Sequence, residues 1–351
     1  METTHRIRAA DARDLDLPDG SVDLAVTSPP YPMVELWDDL FADLSAEAAD
    51  ALAAGDGDAA FEAMHAVLDD VWGELARVLR PGGVACINVG DATRTLERFR
   101  VYPNHSRILD AFADLGFDPL PEILWRKPAN SAAKFMGSGM VPPNAYVTLE
   151  HEHVLVLRKG SRRSFPVGDD RRYESAYFWE ERNRWFSDVW TDVRGRLQDL
   201  PDDGRRDRAA AFPFAVPYRL INMFSVYGDR VLDPFWGTGT TTLAAMVAGR
   251  DSVGYELDGA FLEAFAGRAE NVPEVSRRVV DRRLAAHREF VADRRDAGET
   301  LGYEAEHYDF PVRTKQERGI RLHTAEAVER VDGVTGDAET SDADLAYRVR
   351  Y

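Results

Sequence analysis

The segment 230-RVLDPFWGTGTTTLAAMVAGRDSVGYELD-258 constrains the fold of this 351-residue chain more than any other. A short apolar run ends in Asp233, a turn with Gly237 and Gly239 follows, a helix starts near Thr240, and a second apolar run ends at Glu256. This strand–turn–helix–strand order belongs to an α/β sheet. Glycines let a backbone approach a ligand closely, and an acid about twenty residues further on can accept hydrogen bonds from two ribose hydroxyls. The unit therefore suits a nucleoside-bearing ligand. The third glycine of the dinucleotide fingerprint is missing, with Thr242 in its place, and so is the lysine of a phosphate-binding loop. Both absences favour a ligand without a pyrophosphate.

The rest of the chain repeats the α/β pattern. Strand-like runs fall at 22-VDLAVTS-28, 84-VACINVG-90, 120-LPEILWR-126 and 152-EHVLVLR-158, besides the two around the glycine turn. Between the first two, Phe61, Met64, Leu68, Val71, Trp72, Leu75 and Leu79 keep helical spacing up to a stop at Pro81-Gly82-Gly83. A second helix is expected over 105–116, with Asn104 as its N-cap and Gly116 as its end. The Ala/Asp-rich 45–60 reads as a surface helix and loop. Residues 128–210 differ: small residues come first, then arginines interleaved with aromatics. Beyond 270 a charged helix over 275–296 precedes an acidic tail that reads as peripheral.

Near the start, 27-TSPPYP-32 ends the first of those strand runs. Proline has no N–H to give to a ladder, so the stretch is at least a strand terminator. It also sets a hydroxyl (Ser28), two rigid prolines (Pro29 and Pro30) and an aromatic ring (Tyr31) at the end of a strand, so it can be more than a terminator. Composition bounds the setting. One cysteine, Cys86, excludes an internal disulfide and a cysteine-based metal cluster, and no metal site is read from the sequence. Within a strand run after Ala85, Cys86 reads as a small buried hydrophobe. No apolar run is long enough to span a bilayer and no signal peptide is evident, so a cytoplasmic protein is expected. Acids outnumber Lys and Arg 61 to 43, for a net charge of −18. Only Lys127, Lys134, Lys159 and Lys315 are lysines. This usage resembles that of salt-accumulating halophiles, in whose molar salt self-repulsion is screened.

Taken together, TSPPY and DPFWGTGTTT resemble the amino-group DNA methyltransferases, and their order is similar to that of the circularly permuted beta class. The likeness extends through 9-AADARDLDLPDGSVDLAVTSPPY-31, 74-ELARVLRPGG-83, 123-ILWRKP-128, 151-HEHVLVLRK-159 and 213-PFAVPYRLI-221, covering most of residues 5–265. It implies a Rossmann-like methyltransferase fold with a mostly parallel sheet and a small target-recognition insertion. Residues 1–270 would form the catalytic domain with 128–210 embedded in it, and 271–351 a charged helical extension and tail. It implies S-adenosylmethionine as cofactor, with Asp233, Phe235, Gly237, Thr238, Gly239 and Thr240 in the loop on its methionine side. Glu256 would be the ribose-binding acid, Asp11 the acid near the adenine, and Phe214 part of the helix over the methionine moiety. Trp236 within the turn departs from the common pattern. Ser28, Pro29, Pro30 and Tyr31 would form the catalytic loop. In the family, Ser before PPY accompanies cytosine N4 and Asp or Asn accompanies adenine N6, so Ser28 favours N4 in double-stranded DNA. An adenine-N6 enzyme, an RNA amine methyltransferase and a DNA-binding regulator without catalysis remain the alternatives. Arg158, Arg162, Arg163, Arg171 and Arg172, with Tyr173, Tyr177 and Trp179, are the expected DNA contacts; a solvated, salt-bridged face is the competing reading. A cognate restriction endonuclease or none, and a monomer or a homodimer, are equally compatible.

Overall fold

Ten strands form one sheet in the computed structural model of the chain, which describes residues 1–127, 136–137, 139–193, 212–331 and 344–351. In chain order they are β1 (Glu2–Ala9), β2 (Val22–Thr27), β3 (Leu79–Val89), β4 (Phe117–Arg126), β5 (His151–Lys159), β6 (Val189–Trp190), β7 (Arg230–Asp233), β8 (Asp251–Glu256), β9 (Ala327–Arg330) and β10 (Leu345–Arg350). The order across the sheet is β6-β4-β5-β3-β2-β7-β8-β1-β10-β9. The five central strands β3, β2, β7, β8 and β1 are parallel. On one side β5 runs against β3 and β4; on the other β10 runs against β1 and β9.

Period-two side-chain alternation divides the core into two layers. Along β3, Val84 and Cys86 join one apolar cluster, while Ala85, Ile87 and Val89 join the other. Helices α1 (Asp38–Leu44), α2 (Ala46–Ala54), α3 (Gly57–Val78) and α4 (Asn104–Asp114) lie on the second face. Helices α5 (Ala215–Phe224), α6 (Thr240–Ala248), α7 (Ala260–Glu270) and α8 (Val272–Asp296) lie on the first. All nine residues of α6 are buried, which suits its run of Thr, Ala, Leu, Met and Val.

All six strands expected from apolar runs are present. The expectation of a peripheral tail is overturned, because β10 pairs with β1 from Glu2↔Arg350 to Ile7↔Leu345 and becomes an inner strand. Neither β1 nor β10 announces itself as an apolar run. The buried face of β1 carries Thr3 and His5, whose ring bonds Thr3 Oγ1 and Ser252 Oγ at 2.8 Å each. Burial holds that imidazole neutral, with its pKa lowered to about 3. Asn104 is not the cap of α4. It is fully buried within the helix, where its Nδ2 donates to the carbonyls of Pro32 and Gly90, both at 3.0 Å. Gly116, at φ 80°, does end the helix as expected.

Candidate active site

β2 and β7 are neighbours, paired at Val231↔Leu24 and Leu232↔Ala25. From β2 the chain crosses to β3 through α1–α3 on one face; from β7 it crosses to β8 through α6 on the other. A crevice opens at the carboxyl ends of strands where connections diverge in this way. Here it is a cavity of about 300 Å³. The two motifs meet directly at its floor: Thr27 Oγ1 donates to Asp233 Oδ1 at 2.6 Å across 206 residues of chain. Asp233 also accepts from Phe235 N at 3.1 Å, and burial pushes its carboxyl up to about 6.

Asp11, Ser28, Pro29, Pro30, Tyr31, Asp233, Phe235, Gly237, Thr238, Thr240 and Glu256 all line this cavity. Glu256 sits at the tip of β8. Its Oε2 accepts from Gly237 N at 2.7 Å and its Oε1 from Asp258 N at 2.9 Å, which leaves each oxygen a further lone pair. Burial raises its pKa. Asp11 is already engaged by Arg13, at 2.7 Å, and that bond holds its carboxyl below the usual range. Gly239 stands just behind the lining as the N-cap of α6, in the left-handed conformation at φ 75°. Phe214 lies outside the lining and stacks on Tyr218 (centroids 5.3 Å apart); Phe212, two residues earlier, lines the cavity instead.

The unusual Trp236 points inward. Its ring nitrogen donates to Thr242 Oγ1 at 2.8 Å, so the residue in place of the third glycine serves the indole. The ring occupies space left free by Gly239 and Gly254, where an added Cβ would lie 2.6 and 2.1 Å from it. Phe265 closes the stack edge-on at 5.0 Å.

The TSPPYP turn is held by a polar network that sequence reading missed. Tyr31 OH donates to Glu152 Oε2 at 3.2 Å and accepts from Asn88 Nδ2 at 2.9 Å; Ser28 Oγ lies 3.0 Å away. Asn88 also donates to Glu152 at 2.7 Å, and Lys127 pairs with the same carboxylate. With the tyrosine proton committed to Glu152, Ser28 becomes the donor in its bond to Tyr31 and keeps both oxygen lone pairs as acceptors. Burial and the Glu152 charge raise the Tyr31 pKa well above its ordinary value, so the phenol stays neutral. After Pro32 the chain reverses at Met33, whose φ of 66° is left-handed for a non-glycine residue and costs of order 1 kcal/mol. Two signals for this network stand in the sequence: Glu152 and Asn88 interrupt apolar strands, and Lys127 is one of four lysines in a chain whose positive charge is otherwise arginine. Cys86 is fully buried, and that burial raises its thiol pKa, in keeping with a packing role.

The arginines expected to contact DNA are elsewhere. Because β5 runs antiparallel to β3, Arg158 emerges at the amino ends of the parallel strands, opposite the cavity. Arg163 pairs there with Asp229 at 2.5 Å and Asp23 at 3.3 Å, beside the starts of β7 and β2, and Arg158 pairs with Asp118 at 3.0 Å. Arg171 lies 3.5 Å from Asp169, Arg172 rests over the Phe165 ring, and Arg162 is exposed. The five arginines expected to contact DNA thus lie away from the cavity that holds the two motifs. Parts of the 128–210 region, namely 128–135, 138 and 194–210, lie outside the described residues.

Comparison with known proteins agrees with this geometry. The profile of the N6/N4 methyltransferase family, described as DNA methylase, matches residues 22–266. The type II methyltransferase M.MthZI of Methanothermobacter thermautotrophicus is 51% identical over 328 residues, 92% of this chain and 91% of that protein. M.MjaI of Methanocaldococcus jannaschii is 49% identical over 271 residues, 74% of this chain and 88% of that one. The solved structure of a putative DNA modification methylase from Thermus thermophilus, complexed with S-adenosyl-L-methionine, superposes with a TM-score of 0.59 at 32% identity, covering 75% of this chain and 92% of that chain. The chain therefore belongs to the N6/N4 family of DNA methylases, amino-methyltransferases with a Rossmann-like fold.

Proposed function

We propose that this DNA methylase transfers a methyl group to the exocyclic N4 amine of cytosine in double-stranded DNA. Its methyl donor is S-adenosylmethionine. The reading is carried by one observation: Ser28, free to accept, and Glu256, free to accept, face the same cavity, joined through the Thr27–Asp233 bond. The cavity fits such a cofactor. Glu256 can bind the ribose hydroxyls, the Phe235–Thr240 turn can enclose the methionine side, and Asp233 offers a buried acceptor for a positive group. When bound, the cofactor supplies an electrophilic methyl on a sulfonium.

The chain's own residues then act on the base. Ser28 Oγ and the Pro29 carbonyl accept the two amine hydrogens, which turns the nitrogen lone pair out of conjugation. Tyr31, neutral and fixed by Glu152 and Asn88, presents a ring to the base. Net, the nitrogen gains a methyl as the carbon–sulfur bond breaks, and the amine proton it loses passes to solvent. Ser28 in place of an acid or amide supports cytosine over adenine, as the family pattern implies.

Nucleoside mass spectrometry on DNA treated with the protein tests the base assignment. N4-methylcytosine that disappears with Tyr31→Ala supports the proposal, and N6-methyladenine overturns it. Reactions belong in molar KCl, where the acidic surface is screened.

A further inference from the structure

Behind Tyr31, three metal-binding side chains from three elements converge. Asp91 follows β3, His105 is the second residue of α4, and His153 lies near the start of β5. One nitrogen or oxygen of each lies within 4.8 Å of the other two. His105 Nδ1 is 2.8 Å from both Asp91 oxygens, and His153 Nε2 is 4.0 Å from Asp91 Oδ2. The two imidazoles stack with centroids 3.9 Å apart and planes 7° from parallel. Two ligands placed about 2.0–2.1 Å from a tetrahedral ion stand ~3.4 Å apart, between the separations seen here. Seating an ion requires a sub-ångström opening of the Asp91–His105 contact and a turn of the rings out of their stack.

A second observation points the same way. Glu122 Oε2 lies 3.3 Å from His153 Nδ1. An ionised carboxylate only accepts, so Nδ1 carries the proton and Nε2 presents its lone pair towards Asp91. Outer-shell acids fix the tautomer of metal-binding histidines in this way. Asp91 and Glu122 together also match the charge of one divalent cation. The side chains of His153 and Asp91 are 9% and 12% exposed, while His105, at 27%, leaves an entry path.

We propose that Asp91, His105 and His153 bind one borderline divalent cation, of which zinc is the reference. The ion ties α4 to the ends of β3 and β5. It stands next to Gly90, whose added Cβ would lie 3.2 Å from the Tyr31 ring, and next to Asn104, which holds the Pro32 and Gly90 carbonyls. On binding, the His105 Nδ1 hydrogen moves to Nε2, or to solvent if the ring is protonated. The ion is structural and takes no part in methyl transfer.

The full-length protein is stripped with chelator and titrated with CoCl2, read by visible absorption. Zinc content is measured by plasma mass spectrometry after ZnCl2 loading and gel filtration. One equivalent is expected, with zinc displacing cobalt. His105→Ala and Asp91→Asn should weaken binding at least ~100-fold, and Glu122→Gln ~10–100-fold. Failure of the wild-type chain to take up cobalt at micromolar concentration overturns the proposal, as does unchanged uptake in His105→Ala. That partly exposed position keeps the test decisive if Asp91→Asn does not fold, with circular dichroism as the check.

Discussion

The Asp233 carboxyl offers a sharp physical test, because one group links stability to cofactor binding. It is 4% exposed, and burial raises its pKa from 3.8 to about 6. In the unfolded chain the group loses its proton near 3.8; in the folded chain it holds it until about 6. Between those values the unfolded state binds fewer protons, so stability falls as pH rises through the window and levels off above it. At ~1.4 kcal/mol per pH unit, the ionised form weakens the fold by about 3 kcal/mol near neutrality. Asp233→Asn removes the charge and keeps an oxygen to accept from Thr27 Oγ1 and Phe235 N. Urea unfolding of both proteins across about pH 4 to 8 should therefore show a difference that grows through this window. The variant gains up to about 3 kcal/mol at the upper end relative to the lower. The same substitution should cost ~10–100-fold in S-adenosylhomocysteine affinity by calorimetry, the usual worth of a hydrogen bond to a charged group. Parallel stability curves would refute the burial argument. Unchanged affinity would remove Asp233 from the cofactor site.

Two further substitutions probe the scaffold. Gly254→Ala would place a Cβ 2.1 Å from the Trp236 ring, so it should destabilise by about 3 kcal/mol, and Trp236→Leu in the same chain should recover part of the loss. A double-mutant cycle in urea measures the coupling. Truncation before Leu345 removes β10, uncovers the edge of β1 and strands β9, so the shortened chain should aggregate on size-exclusion chromatography while the full chain elutes as a single species.

The fold was legible where burial on both faces leaves continuous apolar runs, as in β2, β3, β5, β7 and β8. It was illegible where the buried face is polar. In β1, Thr3 and His5 satisfy each other and Ser252, so a core strand reads as a hydrophilic terminus. The cavity residues were legible because glycine turns and proline pairs have few local explanations. The network beneath Tyr31 was not: Asn88, Lys127 and Glu152 come from three strand ends, and only the sheet order brings them together. Phe214 illustrates a finer limit, since a two-residue offset on entry to α5 exchanges the lining residue for Phe212.

The arginine set lies at the far end of the sheet for a topological reason with a testable consequence. Sequence shows that cations and aromatics are interleaved; it does not show on which end of a sheet they emerge, and one antiparallel strand reverses the answer. On the proposed function, DNA that delivers a base to Tyr31 approaches the carboxyl ends of the parallel strands. The hairpin Ala92–Thr95/Phe99–Tyr102 rises from the end of β3 there, and β4 finishes there at Arg126. Arg98 is exposed, and the Arg126 side chain is 62% exposed beside Glu150. An exposed pair of this kind is worth little in water, so Arg126 can exchange Glu150 for a phosphate at small cost. Alanine at Arg98 and Arg126 should then lower duplex affinity uniformly across sequences and reduce the salt slope of binding by about 2, one per lost phosphate contact. Alanine at Arg171 and Arg172 should change neither. Fluorescence anisotropy over a KCl series measures both slopes, and a fall in slope only for the Arg171/Arg172 variant would show that DNA passes the other end of the sheet.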